Sequence, residues 1–280
     1  MAEALKAKLE KPEGRGSKSL RARFVSQSDK MNITFLGTRG WYSSRGETSC
    51  VLVETAKGNY IFDAGTGIYK IYKLLNVSKP TCLLLSHFHL DHILGINAFQ
   101  KIFKGKEIEI YGQKGTRKAI DRIMRKPIYP YYFDSPLFNF KVIFKELKSE
   151  QRIFDSGIKT AKLSHKDPVM GIRIENKGKN FVYATDTLPC KATVKLAKDC
   201  DILVHETYFS EDEISKIKLN TGHSSPKGAA SIAKEANVKK LYLFHINPEY
   251  SDEEISKMER DAREVFKNSF AAKDMLKVEL

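Results

Sequence analysis

Ser86-His87-Phe88-His89-Leu90-Asp91-His92 is the stretch whose reading decides the fold of this chain. It follows the apolar run Thr81 to Leu85, which reads as a buried strand, and precedes Ile93 to Phe103, where apolar residues recur at helical spacing. The histidines therefore sit in a loop at the C-terminal end of a strand. Alternate residues of an extended loop point the same way, so His87 and His89 can face one ion while Asp91 and His92, a turn further on, face a second. Imidazole mixed with carboxylate suits zinc, with manganese or iron as the alternatives. The rival reading is a solvated loop rich in histidine. Four ligand-type side chains within six residues, directly after a buried strand, argue against it.

Outward from this loop, Ile33 to Leu36, Cys50 to Glu54 and Tyr60 to Phe62 are short apolar runs separated by Gly and Asn turns, the pattern of hairpin strands. Further strands are expected at Glu107 to Tyr111, Phe140 to Leu147, Ile158 to Leu163, Met170 to Glu175 and Phe181 to Ala184, the last two flanking an Asn176-Lys177-Gly178 hairpin turn. The rest alternates: helix at Lys191 to Lys198, strand at Asp201 to His205, helix at Pro226 to Ala236, strand at Leu241 to Phe244, and helix at Asp252 to Phe266. An antiparallel run followed by β/α alternation, occurring twice, implies an α/β fold of two mixed sheets face to face with helices outside.

A chain of 280 residues with 41% hydrophobic content can bury the core of one large domain, expected over residues 31–280. Residues 1–30 carry eight Lys/Arg against four Asp/Glu without an apolar stripe, and read as a basic, flexible arm. The net charge of +14 attracts polyanions, so phosphate-containing partners such as nucleotides or RNA are expected. Four scattered cysteines, with no leader and no run long enough to cross a bilayer, imply a reduced cytoplasmic protein without membrane contact.

With these residues in view the chain resembles the metallo-β-lactamase superfamily, whose motif is His-x-His-x-Asp-His. The likeness continues through Leu163-Ser164-His165, Tyr183-Ala184-Thr185-Asp186-Thr187, Asp201 to Thr207, Gly222-His223-Ser224 and Leu243-Phe244-His245, and covers Met31 to the C-terminus. It implies an αββα sandwich and two Zn2+, with His87, His89 and His165 on the first metal, Asp91, His92 and His245 on the second, and Asp186 bridging both. Taken singly, Asp186 reads equally well as a helix cap and His165 as a surface residue; the joint pattern overrides both readings.

Within that superfamily the chain is similar to the RNase Z-like phosphodiesterase branch. Asp186 stands where a common β-lactamase has Cys, and His205-Glu206 is paired with Gly222-His223-Ser224. The resemblance implies that Glu206 and His223 form a dyad protonating the leaving oxygen, while Asp91 positions a metal-bridging hydroxide that attacks phosphorus. The rival reading for His223 is a helix-cap position, since Ser224-Ser225-Pro226 opens a helix; for His205 a core histidine bonded to backbone is expected. The expected function is a zinc phosphodiesterase acting on a small or cyclic nucleotide. The alternatives are an RNase Z-type tRNA 3′-end endonuclease and a non-catalytic RNA-binding protein. Flavodiiron and glyoxalase chemistry are disfavoured, the first because Glu would stand at His89, the second because the Glu206 and His223 pairing would be missing. His165 and Asp186 are separated by only a short hairpin, where tRNA-processing relatives insert a long arm, which favours small substrates. The segment from Arg125 and Lys126 to Tyr129, Tyr131 and Tyr132 looks like an aromatic lid that could stack a base and neutralise a phosphate; packing on the core or in a homodimer interface is its other reading.

Overall fold

The computed structural model describes residues 30–76, 78–130, 135, 137, 139–217 and 221–280, so the expected N-terminal arm, save Lys30, and Tyr131 and Tyr132 lie outside the described residues. Two seven-stranded sheets form the body. The first has the order β14 (Lys277–Glu279), β1 (Asn32–Gly37), β2 (Cys50–Glu54), β3 (Asn59–Phe62), β4 (Thr81–Leu84), β5 (Glu107–Gly112), β6 (Lys141–Glu146). The second has the order β13 (Ser269–Ala271), β12 (Lys240–Phe244), β11 (Ile202–Glu206), β10 (Lys179–Ala184), β9 (Met170–Asn176), β8 (Ser156–Lys162), β7 (Glu150–Ile153). Pairing is antiparallel among β14, β1, β2 and β3 and parallel from β3 to β6; in the second sheet it is antiparallel from β7 to β10 and parallel from β10 to β13.

The strands read as continuous apolar runs because both faces of each sheet are buried. Their two-residue period then sorts side chains between layers. Val51, Val53, Tyr60, Phe62, Cys82 and Leu84 meet Phe181, Tyr183, Ile202, Val204, Tyr242 and Phe244 between the sheets. Cys50, Leu52, Ile61, Leu83 and Leu85 point the other way, onto Ile68 and Ile71 of a 3-10 helix (Thr66–Lys73), Phe99 and Ile102 of α2 (Phe99–Ile102) and Ile120 of α3 (Thr116–Ile123). On the opposite flank Val182, Leu203, Leu241 and Leu243 pack against α4 (Lys191–Ala197), α6 (Pro226–Glu235) and α7 (Asp252–Val265). The result is helices, sheet, sheet, helices, the αββα sandwich.

The expected helix from Ile93 to Phe103 is broken. It comprises α1 (Leu90–Ile93), a 3-10 segment (Leu94–Ala98) and α2. Gly95 donates its N–H to Ala64 O at 2.8 Å, and a Cβ there would stand 2.3 Å from Gly65 O. The segment is thus tied to the loop after β3 instead of continuing one regular helix. Short elements such as β7, β13, β14 and α5 (Glu211–Ile214) carry too little periodicity to be read from the chain. The four cysteines are unpaired, and no helix among the described residues is long and apolar enough to cross a membrane.

Phe62 is fully buried between the sheets, its ring centroid 5.2 Å from that of Phe181. Phe62→Ala is expected to cost about 3–5 kcal/mol of unfolding free energy in denaturant titration, with the midpoint falling accordingly.

Candidate metal centre

The two sheets meet at an edge to which β3, β4, β10, β11 and β12 all bring their C-terminal ends. Glu206 is the last residue of β11, and just past the other ends stand Asp63, the run Ser86 to His92, Asp186 and His245. Asp63, Asp186 and His245 have left-handed backbones, with φ of 56°, 44° and 53°. Non-glycine residues avoid that region, and here it turns each chain sharply off its strand so that the side chain drops into the cleft.

One buried carboxylate organises two imidazoles. Asp63 Oδ2 accepts from His92 Nδ1 at 2.7 Å, from the Ser86 hydroxyl at 2.7 Å and from the Tyr183 hydroxyl at 2.9 Å, while Oδ1 accepts from Ser86 N–H at 2.8 Å. Because the Ser86 hydrogen is committed to Asp63, its oxygen accepts from His87 Nδ1–H at 3.0 Å. Both rings thereby carry hydrogen on Nδ1 and direct Nε2 into the cleft. Burial of Tyr183, reinforced by Asp63, pushes its phenol well up, so it stays a donor. Sequence reasoning missed Asp63; its signal was a lone acid ending the strand Tyr60 to Phe62, like Asp186 after Ala184.

Around the cleft His87 Nε2 lies 3.5 Å from Asp186 Oδ2, and His92 Nε2 and His245 Nε2 lie 3.2 and 3.3 Å from Asp186 Oδ1. Asp91 Oδ2 is 3.0 Å from His245 Nε2 and 3.3 Å from His92 Nε2. His89 and His165 complete a group with Asp186. His165 is not a free surface residue: its Nδ1 donates to Gly222 O at 2.9 Å, leaving Nε2 for the cleft. Gly222 has φ of +85°, and a Cβ on it would stand 2.6 Å from that ring, so both space and conformation demand glycine. His89 directs Nε2 to Asp167 Oδ2 at 2.9 Å, which leaves Nδ1 as its free donor. Asp167 was also missed; it is exposed and nothing local marks it.

His87 and Asp186 are both shifted by their surroundings. Burial, with the neighbouring His92 ring, holds His87 well below the usual imidazole range, so it is a neutral lone-pair donor. Burial would raise Asp186, but the imidazoles of His245, His92 and His87 outweigh it and hold the carboxyl well below its usual range. His87 Nε2 is buried without a hydrogen-bond partner, an orphaned lone pair facing a carboxylate that a cation between them would satisfy. The donors fall into overlapping groups: His87, His92 and Asp186; His89, His165 and Asp186; Asp91, His92 and His245. Nitrogen and oxygen donors in this proportion fit one or two zinc-like dications.

Glu206 is fully buried and accepts backbone N–H bonds from Thr187 at 3.0 Å, Ser224 at 2.9 Å and Tyr208 at 3.0 Å. His223 Nδ1 lies 3.3 Å from Glu206 Oε1, and its ring stacks on His245 with centroids 5.7 Å apart. The cap of α6 is Ser225, accepting from Gly228 N, and not His223. His205 is a core histidine whose Nδ1 bonds Glu206 O at 2.8 Å. Of the expected lid, Arg125 and Lys126 are exposed, and Tyr129 packs on the outer core with its hydroxyl on Asn97 O at 3.1 Å.

Two facing mixed sheets under flanking helices, with an imidazole and carboxylate cluster at their common edge, define a protein of the metallo-β-lactamase fold. The chain belongs to the beta-lactamase superfamily, in its RNase Z-like branch, and is a metal-dependent hydrolase; the family model for the beta-lactamase superfamily domain matches residues 58–246. Ribonuclease Z of Methanothermobacter thermautotrophicus is 29% identical over 303 aligned positions, covering 89% of this chain and 97% of that protein. That alignment is longer than the 280-residue chain, so the relative carries residues this chain lacks. Among solved structures, the metallo-β-lactamase fold protein YhfI from Bacillus subtilis superposes with a TM-score of 0.75 at 22% identity, covering 90% of this chain and 100% of that one. The short form of human tRNase Z superposes with a TM-score of 0.69 at 24% identity, covering 88% and 98%.

Asp63→Asn preserves shape while removing the charge that fixes both rings. It is expected to weaken zinc binding about 10- to 100-fold in competition with a chromophoric chelator. Affinity equal to that of the unaltered protein would show that the rings need no such support.

Proposed function

We propose that the cluster is a dinuclear zinc centre and that the protein hydrolyses a small nucleotide-type phosphodiester, with a cyclic nucleotide as the favoured substrate. In this reading His87, His89 and His165 would hold one ion, Asp91, His92 and His245 the other, and Asp186 would serve both. Ions held there would lower the pKa of a bound water toward neutrality and offset charge building on the phosphoryl oxygens. Asp91 orients the attacking water. His223, whose Nδ1 faces Glu206, would give its Nε2 proton to the leaving oxygen as the phosphorus–oxygen bond breaks.

The observation that carries this reading is the position of His223 between a buried carboxylate and the cluster, within a group that also includes Asp186 and His245. An alkoxide leaving group requires a proton, whereas the thiolate expelled from a thioester leaves without one. Small substrates are favoured because β9 and β10 are joined by the Lys177-Gly178 turn alone, with Asn176 opposite Lys179, so nothing projects from that position to hold a large RNA. The second reading, tRNA 3′-end cleavage, is favoured by the similarity to proteins named Ribonuclease Z. One zinc-loaded preparation assayed on 2′,3′- and 3′,5′-cyclic nucleotides, a bis-aryl phosphate and a 3′-extended tRNA precursor separates them, and preference for the tRNA reverses the ranking. Failure to bind metal in elemental analysis would leave a non-catalytic RNA-binding role.

His223→Ala is expected to keep both metals and lose about 10²- to 10⁴-fold in kcat on a nucleotide diester, but far less on a nitrophenyl diester whose leaving group needs no proton. Full activity on the nucleotide would sink the dyad.

Burial alone would lower His223, but the contact and charge of Glu206, with Asp186 and Asp91 behind it, outweigh that and raise it from its ordinary value. An acid must be protonated to act, so turnover of the nucleotide is expected to hold below that raised value and fall as pH rises through it. This limb should vanish in His223→Ala.

A further inference from the structure

Beside the histidine cluster lies a cavity of about 700 Å³, walled by Trp41, Phe88, Leu90 and Leu94 and reaching His89 and Asp91. Its lining contains no Lys or Arg among the described residues, so it does not suit a second phosphate. Trp41, the single tryptophan of the chain, is 71% exposed there.

The indole is exposed but its backbone is fixed. Trp41 N–H donates to Asp91 Oδ2 at 2.8 Å, and that same oxygen lies 3.0 Å from His245 Nε2. Gly40 N donates to Ile246 O at 3.1 Å, and Tyr42 N to Gly40 O at 2.8 Å. Only glycine fits at position 40, where a Cβ would stand 2.5 Å from the His245 ring. Trp41 has φ of 63°, a conformation bulky residues rarely adopt, and its ring rests edge-on to Tyr42 with centroids 5.3 Å apart. A strained backbone thus presents a large flat ring to solvent, one hydrogen bond from the cluster.

We propose that Trp41 is the nucleobase platform of the site, stacking the base of the diester while Phe88, Leu90 and Leu94 close the apolar wall. The proposal rests on the phosphodiesterase reading and deepens it. Every base has a π face, so the platform selects nucleotides over base-free diesters while discriminating weakly among bases.

The test uses the full-length, zinc-loaded protein and the emission of its lone tryptophan. Adenosine 5′-monophosphate is expected to quench that emission saturably, and ribose 5-phosphate to leave it unchanged. In kinetics, the ratio of kcat/KM for a cyclic nucleotide to that for cyclic glycerol phosphate is expected to fall about tenfold in Trp41→Ala and to be retained in Trp41→Phe. Equal responses to the two monophosphates, or a ratio unmoved by Trp41→Ala, overturn the platform. Turnover of both diesters with an unmoved ratio removes the platform and keeps the phosphodiesterase. Turnover of neither removes the small-diester reading, and the emission titration still decides the platform.

Discussion

The arrangement depends most on the buried carboxylate of Asp63. It has no access to water, and four donors satisfy it: His92, the Ser86 hydroxyl, the Ser86 amide and Tyr183. Isolated in the core it would be costly; fully bonded, it fixes the tautomer of His92 directly and of His87 through Ser86. It also links the sheets, since Asp63 and Ser86 follow β3 and β4 of the first and Tyr183 belongs to β10 of the second. The same bonds that close the sandwich at this edge aim the Nε2 atoms of His87 and His92 into the cleft.

Glu206 has a parallel role on the far side of the cleft. Its three backbone bonds hold the loop after β10, the end of β11 and the segment before α6 in one place. His223 rides on that segment, so its distance from the cluster is set by the core rather than by a mobile loop. Left-handed backbones at Asp63, Asp186 and His245 add strain on the order of 1–3 kcal/mol each, offset by the packing of the strands that precede them. Rigid strands ending in strained turns hold His223, Asp91 and the clustered imidazoles and carboxylates in fixed relation, which is what the proposed hydrolysis asks of a site.

Much of this was legible in the chain. Strand positions followed from apolar runs, and the antiparallel-then-parallel repetition from turn chemistry and helix alternation. The run Ser86 to His92 marked the centre because its spacing is local. The distant members, His165, Asp186 and His245, were legible only through resemblance, since each alone reads as a surface residue, a cap or a strand end. The helix from Ile93 to Phe103 was overdrawn because periodicity does not register the bond that ties Gly95 to Ala64. Tyr129 carried a plausible stacking ring, yet it packs on the outer core, while Trp41, in a turn without periodicity, lines the cavity.

The sequence by itself determined the layers and the donor chemistry, because burial period and ligand type are properties of residues and their near neighbours. Only the tertiary structure decided which donors share an ion-sized space, that Asp63 and Asp167 stand behind the ligands, and that Trp41 faces the cleft. Those relations join residues from different strands and loops, from 23 positions apart for Asp63 and Ser86 to 154 for Asp91 and His245, and the sheets bring them together by closing on a common core whose pattern carries no record of what lies at its edge.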